Sequence, residues 1–179
     1  MRLPPLPEDE WDEETRAALA VLLPERRLNP RGAGTALATL ARHPALARAF
    51  LTFSRHVMLD SALPPRLREL AVLRVARRRD CAYEWGHHAK LAAKAGLTEA
   101  EIEGAGRGEA AGALEKAVLV AVDELDGDSA VSEGTWAALG EHLDERQRMD
   151  LVFTVGAYCL MAMAFNTFGV EPENESQKR

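Results

Sequence analysis

An apolar segment near the C-terminal end most strongly limits the folds open to this chain. Residues 151–165, "LVFTVGAYCLMAMAF", form a run of 15 residues in which Thr154 is the one interruption. The run is shorter than the roughly 18–20 apolar residues that a membrane-spanning helix needs. A helix on a protein surface would show one polar face. We therefore predict a helix that lies in a hydrophobic core or also packs against another subunit, and no membrane partner.

Start and stop signals for helices dominate the rest of the chain. Pro65 is placed to open the helix "PRLRELAVLRVARRR", Asp80 to cap the next helix, and Gly96 to end that helix. Thr98 and Glu101 have the spacing of a capping box. No stretch alternates apolar and polar residues as a half-buried strand does. We predict an all-α fold, a single helical domain of about eight helices.

The net charge and the number of cysteines indicate which binding partners and which cellular compartment to expect. The net charge of −6 disfavours nucleic acid, because binding to phosphates needs a basic surface. Two cysteines far apart do not form a disulfide framework. The first residues are acidic and rich in proline, which is not typical of a signal peptide. We expect a cytoplasmic protein with no nucleic-acid partner.

The segment "DCAYEWGHH", residues 80–88, concentrates chemically active side chains. At about 100° per residue along a helix, Cys81, Glu84, Trp85 and His88 fall on one side. A thiol, a carboxylate and an imidazole then face the same space. If Asp80 caps the helix, Cys81 lies in the first turn, where the helix dipole stabilises a thiolate and the Glu84 charge opposes one.

The preceding helix contributes a further carboxylate. Glu69 has Val72, Leu73 and Ala76 at its i+3, i+4 and i+7 positions, so its side of the helix faces a core. A buried carboxylate needs a partner or a proton, and either state suits acid–base chemistry. The link to the next helix is short. We predict an antiparallel helix hairpin in which Glu69 approaches the face that carries the segment 80–88.

Each of these residues also has a structural interpretation. Cys81 fits a small buried apolar side chain, His88 a hydrogen-bonded interior imidazole, and Glu84 a carboxylate that complements the start of a helix. Glu69 fits an ion pair with Arg66 or Arg74. A metal site would use the same types of ligand, but the sequence lacks a convincing fourth ligand, and we expect no metal and no other cofactor.

At these residues the chain resembles the carboxymuconolactone decarboxylase family, which has the alkylhydroperoxidase D-like fold. The resemblance rests on "LPPRLRELAVLRVARRRDCAYEWGHHAKLAAKAGLTEAEI" and extends more loosely to "AFNTFGV" in the last helix. It implies three segments: an N-terminal arm and first helix at 1–30, the family's helical domain at 31–170, and a flexible tail at 171–179. It also implies a homo-oligomer, a trimer or a hexamer.

The resemblance covers two chemistries. Peroxidase members carry the pattern Glu…Cys-x-x-Cys-x-x-x-His, which Glu69, Cys81 and His88 match, but Glu84 stands at the second cysteine. A disulfide across one helical turn is therefore absent, and Cys159 could replace it only if the fold brings it close. Decarboxylase members carry Glu-x-x-x-His at this place, which Glu84 and His88 match.

The leading hypothesis is an enzyme that acts on a small carboxylated lactone or a related acid by acid–base chemistry. Glu84 or His88 would donate the proton, and Tyr158, Asn166 or an arginine would hold the carbonyl oxygen that becomes negative. Trp85 would line the substrate site. One alternative is a thiol antioxidant that uses Cys81 with an external resolving thiol. The other is a helical oligomer that binds a ligand without catalysis.

Overall fold

The computed structural model describes residues 1–173, and across them the all-α prediction is confirmed, with nine α-helices where about eight were expected. The helices are α1 Glu13–Leu19, α2 Pro30–Leu40, α3 Pro44–Arg55, α4 Pro65–Arg78, α5 Ala82–Lys94, α6 Glu99–Arg107, α7 Ala113–Asp128, α8 Glu133–Gly140 and α9 Glu145–Phe168. A short π-helical turn, His56–Asp60, follows α3.

The first of two compact units contains, among the described residues, 1–60 and 164–173. Its core is apolar and is built mainly by the arm and the first three helices. Trp11 is buried there and donates a hydrogen bond from Nε1 to the carbonyl oxygen of Leu6 over 3.1 Å. Gly34 interrupts α2 with a φ of 81°, a conformation that residues other than glycine rarely adopt.

The second unit contains residues 61–163 and carries the segment 80–88. Its centre is the hairpin of α4 and α5, which the helices α6 and α7 cover on the α4 side. Arg74 of α4 fixes α7 through two hydrogen bonds to the carboxylate of Asp123, at 2.7 and 2.9 Å. This unit alone positions the candidate site.

The turn between α4 and α5 differs from the sequence-based expectation. Asp80 has a φ of 50°, so it belongs to the turn, and Cys81 rather than Asp80 is the N-cap of α5. The amide of Cys81 donates to the carbonyl oxygen of Ala76 over 2.8 Å, which closes the end of α4. Cys81 therefore precedes the first turn of α5 instead of lying within it.

The two units divide the chain at places other than the predicted segments. The first unit continues past residue 30 to Asp60, because the arm and α1 pack together with α2 and α3. The predicted segments 1–30 and 31–170 follow the family resemblance and stay a prediction. Most of the predicted tail, residues 174–179, lies outside the described residues.

The last helix has one buried face and one exposed apolar face within the second unit. Leu151, Thr154, Val155 and Tyr158 are buried. The exposed face holds Met149, Phe153, Gly156, Leu160 and Met163. By length and composition α9 is the one helix in residues 1–173 that could cross a membrane, a criterion that helices of a protein core also meet. The expected absence of a membrane partner stays a prediction.

Candidate active site

Glu69 and His88 form a buried pair at the centre of the hairpin. Glu69 is 3% exposed and His88 is 5% exposed. The Oε2 atom of Glu69 lies 2.7 Å from Nδ1 of His88, and its Oε1 atom lies 3.4 Å from Nε of Arg68. The antiparallel arrangement of α4 and α5 thus brings together two side chains that lie 19 positions apart.

This contact determines how the imidazole can act. When Glu69 is ionised, its carboxylate only accepts hydrogen bonds, and Nδ1 of His88 is the donor. The other ring nitrogen, Nε2, then keeps its lone pair and can accept a proton. The Glu69 carboxylate also stabilises the imidazolium that forms, as the carboxylate does in serine hydrolases. The pair can therefore bind a substrate or accept a proton at Nε2.

Glu84 lies one helical turn before His88 on the same face of α5 and has a different environment. It is 2% exposed, and its Oε2 atom has no hydrogen-bond partner among residues 1–173. Burial disfavours its charged form and raises the pKa of Glu84 to about 8. At neutral pH this side chain is therefore a carboxylic acid that can donate a proton.

The raised pKa predicts a pH-dependent stability. The usual pKa of 4.5 applies when the chain is unfolded, so between about pH 4.5 and 8 the folded chain keeps a proton that the unfolded chain has released. The free energy of unfolding therefore falls as the pH rises through this window, by at most about 1.4 kcal/mol per pH unit. Urea unfolding at several pH values should show that Glu84→Gln lacks this part of the slope, whereas an unchanged slope would contradict the buried acid.

Tyr158 of α9 completes the buried cluster. Its ring meets the His88 ring edge to face, with the centroids 4.9 Å apart. Burial, followed by the charges of Glu84 and Glu69, raises the pKa of Tyr158 well above its usual value, while the charge of Arg68 acts in the opposite direction. The hydroxyl therefore stays protonated and is able to donate a hydrogen bond.

Cys81 is buried as a thiol rather than exposed as a thiolate. It is 1% exposed. Burial raises the pKa of Cys81 to about 11, against the effect of the backbone N–H groups of Glu84 and Tyr83 at the start of α5. The helix start therefore does act on the sulfur, but the loss of water around it has the larger effect.

Cys159 has a separate environment in the same unit. Its Sγ atom donates to Asp126 over 3.5 Å, and the Asp126 carboxylate also pairs with Arg78 and Arg79. Both cysteines are free thiols. The structure therefore gives Cys159 an acidic partner and no disulfide with Cys81.

The remaining predicted residues lie apart from the buried cluster or outside this unit. Trp85 stacks under Arg77, with the guanidinium carbon 3.9 Å from the ring centroid, and its indole occupies the space left by Gly106. Asn166 is exposed and belongs to the first unit. The substrate-binding roles of Trp85 and Asn166 stay predictions. Within residues 1–173, no group of three histidine, cysteine or acidic side chains could hold a metal ion.

Arg68 is the residue at this cluster that the sequence analysis did not single out. It precedes Glu69 and, like Glu69, has apolar residues at its i+3, i+4 and i+7 positions: Ala71, Val72 and Val75. The pattern that identified Glu69 as inward-facing therefore also applied to Arg68. Its side chain is 16% exposed.

Part of the chain, including the hairpin of α4 and α5, is similar to a known protein family. Residues 44–126 match the model of the carboxymuconolactone decarboxylase family. No curated protein matches the chain.

Solved structures of low sequence identity share the fold. A peroxidase-related protein with an alkylhydroperoxidase AhpD core, from Ralstonia eutropha, has a TM-score of 0.78 at 19% identity, over 99% of this chain and 95% of that one. A peroxidase-related protein from Silicibacter sp. has a TM-score of 0.70 at 16% identity, over 79% and 78%. A protein of unknown function from Agrobacterium tumefaciens has a TM-score of 0.68 at 20% identity, over 75% and 94%. The chain therefore has the alkylhydroperoxidase D-like helical fold.

Proposed function

Because residues 44–126 match the model of the carboxymuconolactone decarboxylase family, we propose that the protein is a lyase that decarboxylates a small carboxylated lactone or a related acid. One observation carries the proposal: a buried Glu84 with an unpaired Oε2 atom holds a proton at neutral pH, one turn from the Glu69–His88 pair. A decarboxylase needs such an acid, because a carbon of the enolate that remains after carbon dioxide leaves must receive a proton.

The proposed reaction assigns a task to each member of the cluster. The bond between the substrate carbon and its carboxylate breaks, carbon dioxide leaves, and the electron pair moves into a conjugated carbonyl group. Tyr158 donates a hydrogen bond to the oxygen that becomes negative. Glu84 gives its proton to a carbon of the enolate and regains one from solvent. His88, held by Glu69, orients the substrate through Nε2.

The test is the release of carbon dioxide from unsaturated five-membered lactones that carry a carboxylate. We expect turnover by the wild-type protein at neutral pH and a decline above about pH 8, where Glu84 ionises. If tight binding occurs without any release of carbon dioxide, the non-catalytic ligand-binding alternative replaces the lyase.

The properties of Cys81 distinguish the proposed lyase from the alternative, a thiol antioxidant. At pH 7 a thiol with a pKa of about 11 is a thiolate in on the order of one molecule in 10⁴, which is too little for efficient attack on a peroxide. We expect Cys81→Ser to keep its lyase turnover near the wild-type value. Mass spectrometry after brief exposure to peroxide should show no preference for Cys81 over Cys159. Rapid, selective oxidation of Cys81 would favour the thiol antioxidant instead.

We also propose that the protein is a homo-oligomer that associates through the exposed face of α9. The exposed apolar residues on this face recur at alternating intervals of four and three, which is the spacing at which helices of different subunits interlock. Met149 is 57% exposed and Leu160 is 53% exposed. When a second copy of the chain covers apolar side chains of this size, their removal from water lowers the free energy.

A charge on this face should prevent the association. We expect Leu160→Glu to lower the molar mass in solution from that of an oligomer to that of the monomer, as measured by light scattering after size-exclusion chromatography. The matched control is Leu46→Glu, because Leu46 is 55% exposed on α3. A wild-type protein that is already monomeric at micromolar concentration would contradict the proposal.

A further inference from the structure

Arg68 is the positively charged residue at the buried cluster. Few acceptors within the described chain bind the N–H donors of its guanidinium group. The side chain is 16% exposed, and its contact is a hydrogen bond of 3.4 Å from Nε to Oε1 of Glu69. That carboxylate already accepts a shorter bond, 2.7 Å, from His88 through its other oxygen. Glu69 is therefore a weak partner for Arg68.

Arg74, another largely buried arginine of α4, shows how a guanidinium group is held when protein acceptors bind most of its N–H donors. Arg74 is 13% exposed, similar to Arg68. It donates from Nε and NH2 to the two carboxylate oxygens of Asp123 and from NH1 to the carbonyl oxygen of Gly106, all within 2.9 Å. A buried guanidinium normally reaches this state, because taking a charge out of water is costly unless its donors are paired. Arg68 lacks comparable partners among residues 1–173.

The geometry of the guanidinium defines which part is available. The group is planar and presents its five N–H donors in a fixed fork. When Nε points to Glu69, the edge formed by the two terminal nitrogens is free to bind both oxygens of one carboxylate. The charge of Arg68 acts on the Tyr158 hydroxyl, and the Tyr158 ring packs on His88. The free edge therefore belongs to the same cluster as Glu84 and the Glu69–His88 pair.

We propose that Arg68 binds a carboxylate of the substrate through the edge formed by its two terminal nitrogens, and that this contact makes the site select anionic ring compounds over neutral ones. The inference rests on the proposed function, since it names the residue that holds the substrate of that site. A substrate held in this way carries two carboxylates, and Arg68 binds the one that the product keeps, because a cation on the departing carboxylate would oppose its loss. Arg68 thus orients the substrate, and Glu84 supplies the proton.

The test measures binding without catalysis, in the full-length protein at pH 7 and low salt. The probes are 2-furoate, a flat ring carboxylate, and its neutral amide, 2-furamide. Their dissociation constants come from NMR titrations that follow the arginine Nε–H resonances. We expect the wild-type protein to bind 2-furoate about 10- to 100-fold more tightly than the amide, as a charge-assisted pair of hydrogen bonds implies.

Variants assign the effect to Arg68. We expect Arg68→Gln to lose that preference and Arg68→Lys, which keeps the charge without the fork, to keep a part of it. Arg146→Gln, which removes an exposed arginine from the same unit, should bind 2-furoate as the wild type does. Circular dichroism tests whether each variant is folded. If Arg68→Lys alone folds, a loss of at least threefold in it supports the proposal, and an unchanged affinity overturns it.

The outcomes separate this inference from the proposed function. If Arg68→Gln binds 2-furoate as tightly as the wild type, or if the wild type does not prefer 2-furoate to the amide, the role of Arg68 is wrong, whatever the turnover. If the preference for 2-furoate depends on Arg68 but no carboxylated lactone releases carbon dioxide, the anion-binding role of Arg68 is supported and the proposed lyase activity is wrong.

Discussion

Replacement of Glu84 by glutamine is expected to lower the turnover number of the proposed decarboxylation by about 10²- to 10⁴-fold, the range that a positioned acid contributes. Glutamine has nearly the same shape but no acidic proton. Glu84 is 2% exposed and its Oε2 atom is unpaired, so the substitution should leave the surrounding packing intact. The loss should appear in kcat and less in KM, because the proton is transferred only after binding.

The control for this experiment is Glu141→Gln, since Glu141 is an exposed glutamate of the same unit and lies outside the cluster. It should keep the wild-type rate. Wild-type turnover should decline above about pH 8, as the acid form of Glu84 disappears. Turnover of Glu84→Gln at the wild-type level would mean that the proton comes from another group, and the proposed mechanism would be abandoned.

Local signals explain why the helices around the site were predictable. Thr98 accepts a hydrogen bond from the amide of Glu101, and the Glu101 carboxylate accepts one from the amide of Thr98, as the capping-box spacing predicts. Pro65 opens α4 at the expected position. Such signals depend on residues within one turn of each other, so a single sequence contains them completely.

Features that depend on distant residues were harder to predict. The positive φ of Asp80 comes from a tight link between two packed helices, and it moved the cap of α5 to Cys81. Trp85 points to Arg77 and Gly106 because the glycine, on another helix, leaves room for the indole. Angular position on a helix defines a face, but it does not tell which neighbour receives a long side chain.

The contact between Glu69 and His88 was predictable only in part, because local sequence patterns do not define which side chains of two helices meet. Glu69 was expected near the face of α5 because its own helix neighbours are apolar, and the hairpin link is short. Glu69 pairs with His88 and not with Glu84 because of how far α4 and α5 are shifted along each other, which the sequence does not specify. The dominance of burial over the helix start at Cys81 depends on the surrounding core, which no local pattern describes.

Removal of the Glu69 carboxylate should strongly destabilise the fold. We expect Glu69→Ala to lower the free energy of unfolding by about 3–5 kcal/mol, because it leaves the buried His88 without its partner and opens a cavity. Urea unfolding measures the change. The matched control is Glu103→Ala, which breaks an ion pair of 3.8 Å with Arg77 between side chains that are 53% and 51% exposed, and it should cost about 1 kcal/mol or less.

Glu69→Gln separates the structural contribution of this pair from its chemical one. The amide oxygen of glutamine can still accept the hydrogen bond from Nδ1 of His88, so most of the stability should remain. The glutamine amide lacks the negative charge and can also rotate to present its NH₂ group, so it holds His88 less firmly in the orientation that binds the substrate, and turnover should fall even though the fold is kept. A cost above about 3 kcal/mol for Glu69→Gln, equal to that of Glu69→Ala, would show that the charge itself holds the helices together. Full turnover in a stable Glu69→Gln protein would instead remove Glu69 from the chemistry and leave it as a support for His88.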